Sequence, residues 1–281
     1  MAMKKTSWRS ASVVLATGLI AYATATAQPV AIVTDVLGTA AYGSAMATVG
    51  ILTQLDAGVR VRLSPHAHMT LFFYSDGAQF EVGGPGSVVL DTTGVHPADG
   101  ATVKPLAAGG APAVQLKSGG LVQGAMVMRN LGLRIMAPDG LVLATQPALV
   151  WSDTRREATY DVALIDATGK RVFETTTASR AVPLPPELQL EPGRSYAIEV
   201  SARVRGTTVQ TARAEFAVAP EALRARARAL EPTLDAPVAE HVAYALWLDQ
   251  NDLHDEARKW WADLAAVRPE QGSLRARAGL P

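Results

Sequence analysis

Residues 190–206 read LEPGRSYAIEVSARVRG, and this stretch decides the class of the domain that holds it. Tyr196, Ile198, Val200, Ala202 and Val204 fall on one face of an extended chain, and Ala197, Glu199, Ser201, Arg203 and Arg205 on the other. Side chains alternate across a strand with a period of two, so the pattern predicts a strand with one face dry and one wet. Gly206-Thr207 predicts a hairpin, and Ala214, Phe216 and Val218 predict the returning strand. Upstream, Pro147-x-Leu149-x-Trp151 predicts a strand ending on a large aromatic. Tyr160, Val162 and Leu164 alternate with Asp161, Ala163 and Ile165, and Asp166-Ala167-Thr168-Gly169 turns the chain. Short strands at this spacing predict a β-sandwich over residues 137–219.

This segment resembles a fibronectin type III or related immunoglobulin-like domain. Leu190-x-Pro192-Gly193-x-x-Tyr196 looks like a tyrosine corner, in which a tyrosine hydroxyl bonds back to the chain just upstream. The resemblance implies structural roles for Tyr196 and for Trp151 as the buried aromatic of an early strand. The chain has no cysteine, so the disulfide-bearing antibody subclass is excluded. Sandwiches of this kind serve as spacers or binding modules, and the fold alone assigns no function.

Residues 28–106 read as short strands and tight turns. Met69, Leu71 and Phe73 alternate with Thr70, Phe72 and Tyr74, so both faces of that strand are largely apolar and the strand is expected to be covered on both sides. Asp76-Gly77 signals a turn, Phe80 and Val82 a returning strand, Gly83-Gly84-Pro85-Gly86 a sharp break, and Val88 with Leu90 a resumption. The order Gly38, Leu55-x-x-Gly58-Val59, Leu71-x-Phe73, Ser75-Asp76-Gly77, Phe80-x-Val82, Gly84-Pro85-Gly86 resembles the FecR-like domain, a β-rich module of bacterial envelope proteins. The resemblance rests on turn glycines and strand alternation, and an unrelated small β-domain with the same punctuation stays open. It implies structural roles for Gly84, Pro85 and Gly86, and a module that works through protein contacts.

Between these domains, residues 107–136 read as a linker with connecting strands. Ala107 to Ala113 is built of small residues, and Arg129 to Met136 carries Leu131, Leu133 and Ile135 on one strand face. After residue 219 the period changes. Pro220 to Leu230 is a helical connector, and its Arg224, Arg226 and Arg228 do not share one face. Val238, Val242, Ala245 and Leu248 line one helix; Ala257, Trp260, Trp261 and Leu264 line a second, with Asp252 as its expected N-cap and Pro269 as its stop. The spacing of Ala245, Ala257, Trp261, Leu264 and Pro269 resembles a single tetratricopeptide repeat, with Asp252 in place of the family's turn glycine. One repeat cannot stand alone, so this hairpin in residues 220–281 must lean on the chain or on a partner. Adjacent helical residues point about 100° apart, so of Trp260 and Trp261 one is expected to be core and the other to cover a neighbouring module or partner.

The N-terminus carries a targeting pattern. Lys4, Lys5 and Arg9 precede a short apolar run from Ala11 to Ala23, and Ala25-Thr26-Ala27 offers a small-x-small cleavage site before Gln28-Pro29. This is the layout of a secretory signal peptide over residues 1–27, cleaved between Ala27 and Gln28; an uncleaved anchor is the other reading. Lys+Arg and Asp+Glu balance at 26 each, which argues against a nucleic-acid partner. The absence of cysteine also removes thiolate metal sites, thiol nucleophiles and a lipidated cysteine.

Little in the sequence carries chemistry. His66-x-His68 would put two imidazoles on one strand face, but Pro65 suggests a turn and no third ligand lies nearby; His254 precedes Asp255-Glu256 in a helical first turn. No Gly-x-Ser-x-Gly elbow occurs, and Gly83 to Gly86 lies between strands and not at a helix start, so it is no phosphate cradle. No catalytic, cofactor-binding or metal residue is assigned, and no cofactor is expected. The expected architecture is mainly β: a FecR-like β-module, a β-sandwich and a short C-terminal α-helical hairpin. The expected function is that of an exported periplasmic interaction, sensing or scaffold protein, not an enzyme, with an envelope protein or peptidoglycan component as partner. A membrane attachment would come only through an uncleaved signal. A surface or adhesion spacer and a cell-wall hydrolase remain as alternatives.

Overall fold

The computed structural model describes residues 28–106, 116–117 and 132–280. The expected signal segment with Ala27, the small-residue linker 107–113 and the first residues of the strand expected from Arg129 lie outside them.

The N-terminal β-unit runs β1 (Pro29–Leu37), β2 (Ala40–Tyr42), β3 (Ala47–Thr48), β4 (Gln54–Asp56), β5 (Arg60–Leu63), β6 (His68–Phe73), β7 (Gln79–Gly83), β8 (Gly86–Leu90), β9 (Val95–Pro97) and β10 (Thr102–Leu106). These make two five-stranded antiparallel sheets, in the orders β10-β7-β6-β1-β4 and β3-β2-β5-β8-β9. The chain passes between the sheets repeatedly, and at one of these crossings, Gly84-Pro85-Gly86 between β7 and β8, backbones meet closely. A Cβ on Gly84 would lie 2.2 Å from the Ser64 carbonyl oxygen, and one on Gly86 2.2 Å from the Ala101 nitrogen. Only glycine fits at either position. In β1, four consecutive residues, Ala31 to Thr34, are fully buried, and in β6 so are Leu71, Phe72 and Phe73. Neighbouring strand residues point to opposite faces, so both faces of the β1–β6 pair are covered.

The second unit runs β11 (Arg134–Ala137), β12 (Gly140–Val142), β13 (Leu149–Ser152), β14 (Thr159–Asp166), β15 (Arg171–Thr177), β16 (Ala181–Val182), β17 (Ser195–Val204) and β18 (Thr207–Val218). Sheet β11-β13-β16 faces sheet β12-β18-β17-β14-β15. This is a sandwich of the immunoglobulin-like class, and with the first unit it makes the chain mainly β. One pairing is parallel: Gly140 stands opposite Phe216, and Val142 opposite Val218, on the β12–β18 edge. The core holds Leu149, Trp151, Tyr160, Val162, Leu164, Ile198, Val200 and Phe216. Trp151 meets Tyr160 edge-on with centroids 5.3 Å apart, and Tyr196 stacks on Phe216 at 5.8 Å.

Four helices follow: α1 (Glu221–Leu230), α2 (Val238–Gln250), α3 (His254–Val267) and α4 (Gly272–Ala278). Pro220 and Pro237 stand at the N-caps of α1 and α2, where a fixed φ and a missing N–H cost nothing. Asp252 is not the cap of α3. Leu253 holds that position, and Asp252 turns the chain at φ 59°. Pro269 does follow the end of α3, but the chain then forms α4, a short helix outside the expected two-helix hairpin.

The helices join the core of the first β-unit. Buried residues of both sheets, of α2, α3 and α4, and Leu116 form one continuous apolar cluster, separate from that of the sandwich. From Val242 to Leu248 α2 is buried without a break, so it is enclosed on every side. Polar contacts fasten both flanks. Arg268 pairs with Asp35 of β1 at 3.2 Å, the Ile51 N–H donates to Gln271 Oε1 at 3.0 Å, and Ser273 Oγ donates to the Ile51 carbonyl at 2.9 Å. On the sandwich side the Leu141 N–H donates to the Asp252 carbonyl, the Leu143 N–H to Glu256 Oε1, and Arg224 Nε to the Leu143 carbonyl, each at 2.9 Å. Among the described residues no helix is long and apolar enough to cross a membrane.

Candidate functional site

The C-terminal end of α2 gathers Trp247, Gln250 and Asn251 on one face, as residues three and four apart must be. Trp247 is 3% exposed. Asn251 Nδ2 donates to the Trp247 carbonyl at 2.7 Å, closing one of the helix's open acceptors. Opposite stands the turn after β6. There Tyr74 accepts a hydrogen bond from Gln54 Nε2 at 3.2 Å. Burial pushes the Tyr74 hydroxyl up to about 12, against a smaller lowering by Gln54, so it stays a neutral phenol. Asp76 is occupied by its own turn, accepting from the Ala78 N–H at 2.9 Å.

Leu116 and Lys117 lie between these two walls. The Leu116 side chain is 4% exposed and belongs to the shared core. The Lys117 N–H donates to Gln250 Oε1 at 2.8 Å, and Gln250 Nε2 donates to the Lys117 carbonyl at 3.0 Å. One side-chain amide thus answers both polar groups of one residue's backbone, as a neighbouring strand would. Space opens on either side. A cavity of about 660 Å³ extends toward Gln28, Pro29 and Thr92, and one of about 350 Å³ toward Arg226 and Asn251; Tyr74, Ser75, Leu116 and Lys117 line both. The resulting groove offers aromatic surface, an amide and a backbone turn. These are groups that hold and orient a chain.

Trp260 and Trp261 lie elsewhere and point apart. Trp261 is 1% exposed, and its indole N–H donates to Asp249 Oδ2 at 2.8 Å, the oxygen that Arg277 of α4 approaches at 3.4 Å. It ties α2, α3 and α4 together. Trp260 is half-buried, edge-on to Tyr244 at 5.2 Å and tilted over His241 at 5.2 Å. Tyr244 in turn stacks on Trp247 at 6.1 Å, so an aromatic ladder runs from Trp260 to the groove wall. The Tyr244 hydroxyl donates to the Ala227 carbonyl at 3.2 Å, and burial holds its pKa well above the usual phenol range.

In the sandwich, the Glu191 N–H donates to the Tyr196 hydroxyl at 3.0 Å, across the corner into β17. Trp151 is buried, and its indole nitrogen has no partner among the described residues. Asp153, near the end of β13, has a fully buried side chain held by Arg155 Nε at 3.0 Å to each oxygen, with the Tyr160 hydroxyl at 3.4 Å. Burial pushes its pKa up, but the backbone N–H and guanidinium of Arg155 outweigh this and hold the carboxyl below its ordinary value. Gln28 is exposed, and Gly84, Pro85 and Gly86 form the crossing from β7 to β8.

The histidines do not assemble. His66 sits in a turn at φ 64°, and His68 Nδ1 lies 3.7 Å from Glu81 Oε1; His254 lies 3.7 Å from both Asp249 and Asp252. Among the described residues no group of three or more histidine or carboxylate side chains is placed to hold a metal. Gln250, Trp247 and Tyr74 escaped the sequence reading. A glutamine at the end of an apolar helix carries no motif, and only the fold brings it to Lys117.

No family model matches this chain, and no curated protein does. Among solved structures it is similar to the chicken CNTN1 FN1–FN3 domains, at 12% identity over 69% of this chain and 62% of that one, with a TM-score of 0.26. It is also similar to a β-glucuronidase of Parabacteroides merdae, at 10% identity over 68% of this chain and 26% of that one, with a TM-score of 0.21. The chain therefore spans less than two thirds of the length of either.

Proposed function

We propose that the chain is an exported, non-enzymatic interaction or scaffold protein of the bacterial periplasm, of FecR-domain type, which binds an envelope protein or a peptidoglycan component. The observation that carries this reading is the groove at Gln250. It is built of Trp247, Tyr74 and a side-chain amide pairing with backbone, which is recognition chemistry. Export is supported by the basic, apolar and small-residue layout ahead of Gln28. The FecR-type assignment is supported by the turn glycines, two of which stand where a Cβ would collide with backbone.

Two measurements test it. The full chain expressed in a Gram-negative host should fractionate with the periplasm and begin at Gln28. The mature chain, immobilised, should retain a defined component from an envelope extract of its native host. A cytosolic product beginning at Met1, with nothing retained from the extract, would sink the reading.

A further inference from the structure

We propose that the chain associates head to tail with copies of itself, the turn between α1 and α2 of one copy seating Leu234 in a cleft on the N-terminal β-unit of the next. The inference goes beyond the function proposed above and does not depend on it.

The knob is an apolar tip on a braced turn. Leu234 is 98% exposed, more than any other large apolar side chain among the described residues. The Ala236 N–H donates to the Thr233 carbonyl at 3.0 Å and closes the turn, and Pro232 and Pro237 stand on either side of it. Each proline fixes its own φ, so gripping the tip costs little chain freedom. Glu231 and Asp235 flank the leucine. Both are exposed, and neither forms an ion pair among the described residues. The Thr233 hydroxyl holds the Asp235 carboxyl below its ordinary value, so it is charged at neutral pH.

The cleft has a volume of about 500 Å³ and lies between the β2–β3 turn, with Gly43 and Met46, and the start of β5, with Val59, Arg60 and Arg62. A Cβ on Gly43 would meet nothing within 4 Å, so that wall stands clear of its neighbours. Met46, 48% exposed, and the half-buried Val59 give the cleft apolar surface. Arg60 and Arg62 fall on the wet face of β5, whose Val61 and Leu63 are core. Asp99 takes Arg60 at 3.1 Å, and Arg62 forms no ion pair among the described residues. An apolar tip between two unpaired carboxylates thus matches an apolar cleft beside an unpaired guanidinium. A leucine this exposed is not held by the cleft of its own chain, so the match is made between copies. Knob and cleft are different surfaces. The contact is therefore heterologous, and it closes into a ring or runs on as a filament.

The test is sedimentation velocity on the mature chain. Its average sedimentation coefficient should rise with concentration up to roughly 0.1–1 mM, the range of one small contact. Leu234→Asp spoils the knob and Arg62→Glu spoils the cleft, and each should weaken association roughly tenfold or more. Mixed together, the two variants should form a 1:1 dimer and nothing larger, because each keeps the half that the other has lost. That mixture also controls for folding, since a misfolded variant could not complement. Asp235→Arg placed in the Arg62→Glu chain should restore part of the association. A wild-type chain that stays monomeric up to about 1 mM overturns the proposal. So does association that survives both substitutions. Association that is lost in each variant and not recovered in the mixture, with both variants giving the wild-type circular dichroism spectrum, assigns a contact other than knob in cleft and overturns it as well.

Discussion

The sandwich keeps its core to itself, whereas the N-terminal β-unit shares its core with helices that come after the sandwich in the chain. Both are pairs of mainly antiparallel sheets. They differ in how their faces are closed. The sandwich's two sheets bury each other's inner faces and leave half-wet outer ones, so Glu199, Ser201 and Arg203 alternate with buried neighbours. In the N-terminal unit β1 and β6 are apolar on both faces, and sheet-on-sheet packing can bury only one of them. The spare face calls for a further layer, and α2 supplies it against β1. The units into which punctuation divides a sequence are thus not the units that stand or fall together.

The strongest way to break this comparison is to end the chain at Ala236. The N-terminal β-unit should then lose its protection against hydrogen exchange while the sandwich strands keep theirs. Loss centred on the Tyr196 strand would reverse the assignment. Next is Trp151→Ala, which empties a fully enclosed site and should cost about 3–5 kcal/mol. In hydrogen exchange that loss should be confined to residues 132–219. Arg268→Ala removes a charge-assisted bond from a pair whose side chains are 19% and 18% exposed. Partial solvation reduces its worth, so the expected cost is about 1–2 kcal/mol, felt in the β1–helix unit alone by denaturant melts. Tyr196→Phe deletes the acceptor of the Glu191 N–H and should cost about 1 kcal/mol in the sandwich, seen as a lower denaturant midpoint.

The finest test uses pH. Asp153 has a folded pKa below its ordinary value, so between the two the unfolded chain binds more protons than the folded one. Its contribution to stability is complete above the ordinary carboxylate pKa, near 4, and fades as pH falls through the lowered one. Sandwich stability measured from pH 7 downward should fall less steeply in Asp153→Asn than in the wild type. Equal slopes would mean that Asp153 does not titrate as its contacts dictate.

Local pattern exposed much of this fold and little of the site. Strands β7, β17 and β18 follow from alternation, because burial of one face writes itself directly into a period of two, and β6 follows from a run that is apolar on both faces. Pro237 and Pro269 bracket α2 and α3 for equally local reasons. The parallel β12–β18 edge, the helix α4 and the partner of the hairpin were not legible. Each depends on which distant surface meets a short segment, and three-residue or seven-residue elements are too brief to carry a period. Asp252 illustrates the limit. As a residue type it suits an N-cap, yet here the carbonyl of that turn receives the Leu141 N–H, and the chain takes a left-handed turn to present it. The groove is the extreme case, since Gln250 meets Lys117 across the intervening sandwich sequence.

Strand β1 and the helix laid against it are separated by about 200 residues of chain. Closing so long a loop adds little to the equilibrium cost, roughly 0.6 kcal/mol per doubling of length, but non-local contacts of this kind slow folding markedly. A chain delivered from its N-terminal end presents Ile32 and Val33 first and the cover for them last. Throughout that interval the sheet holding β1, although its strands can already pair, offers a bare apolar face to any neighbouring chain, which is the opening through which newly made molecules would aggregate and which a holding chaperone would have to shield.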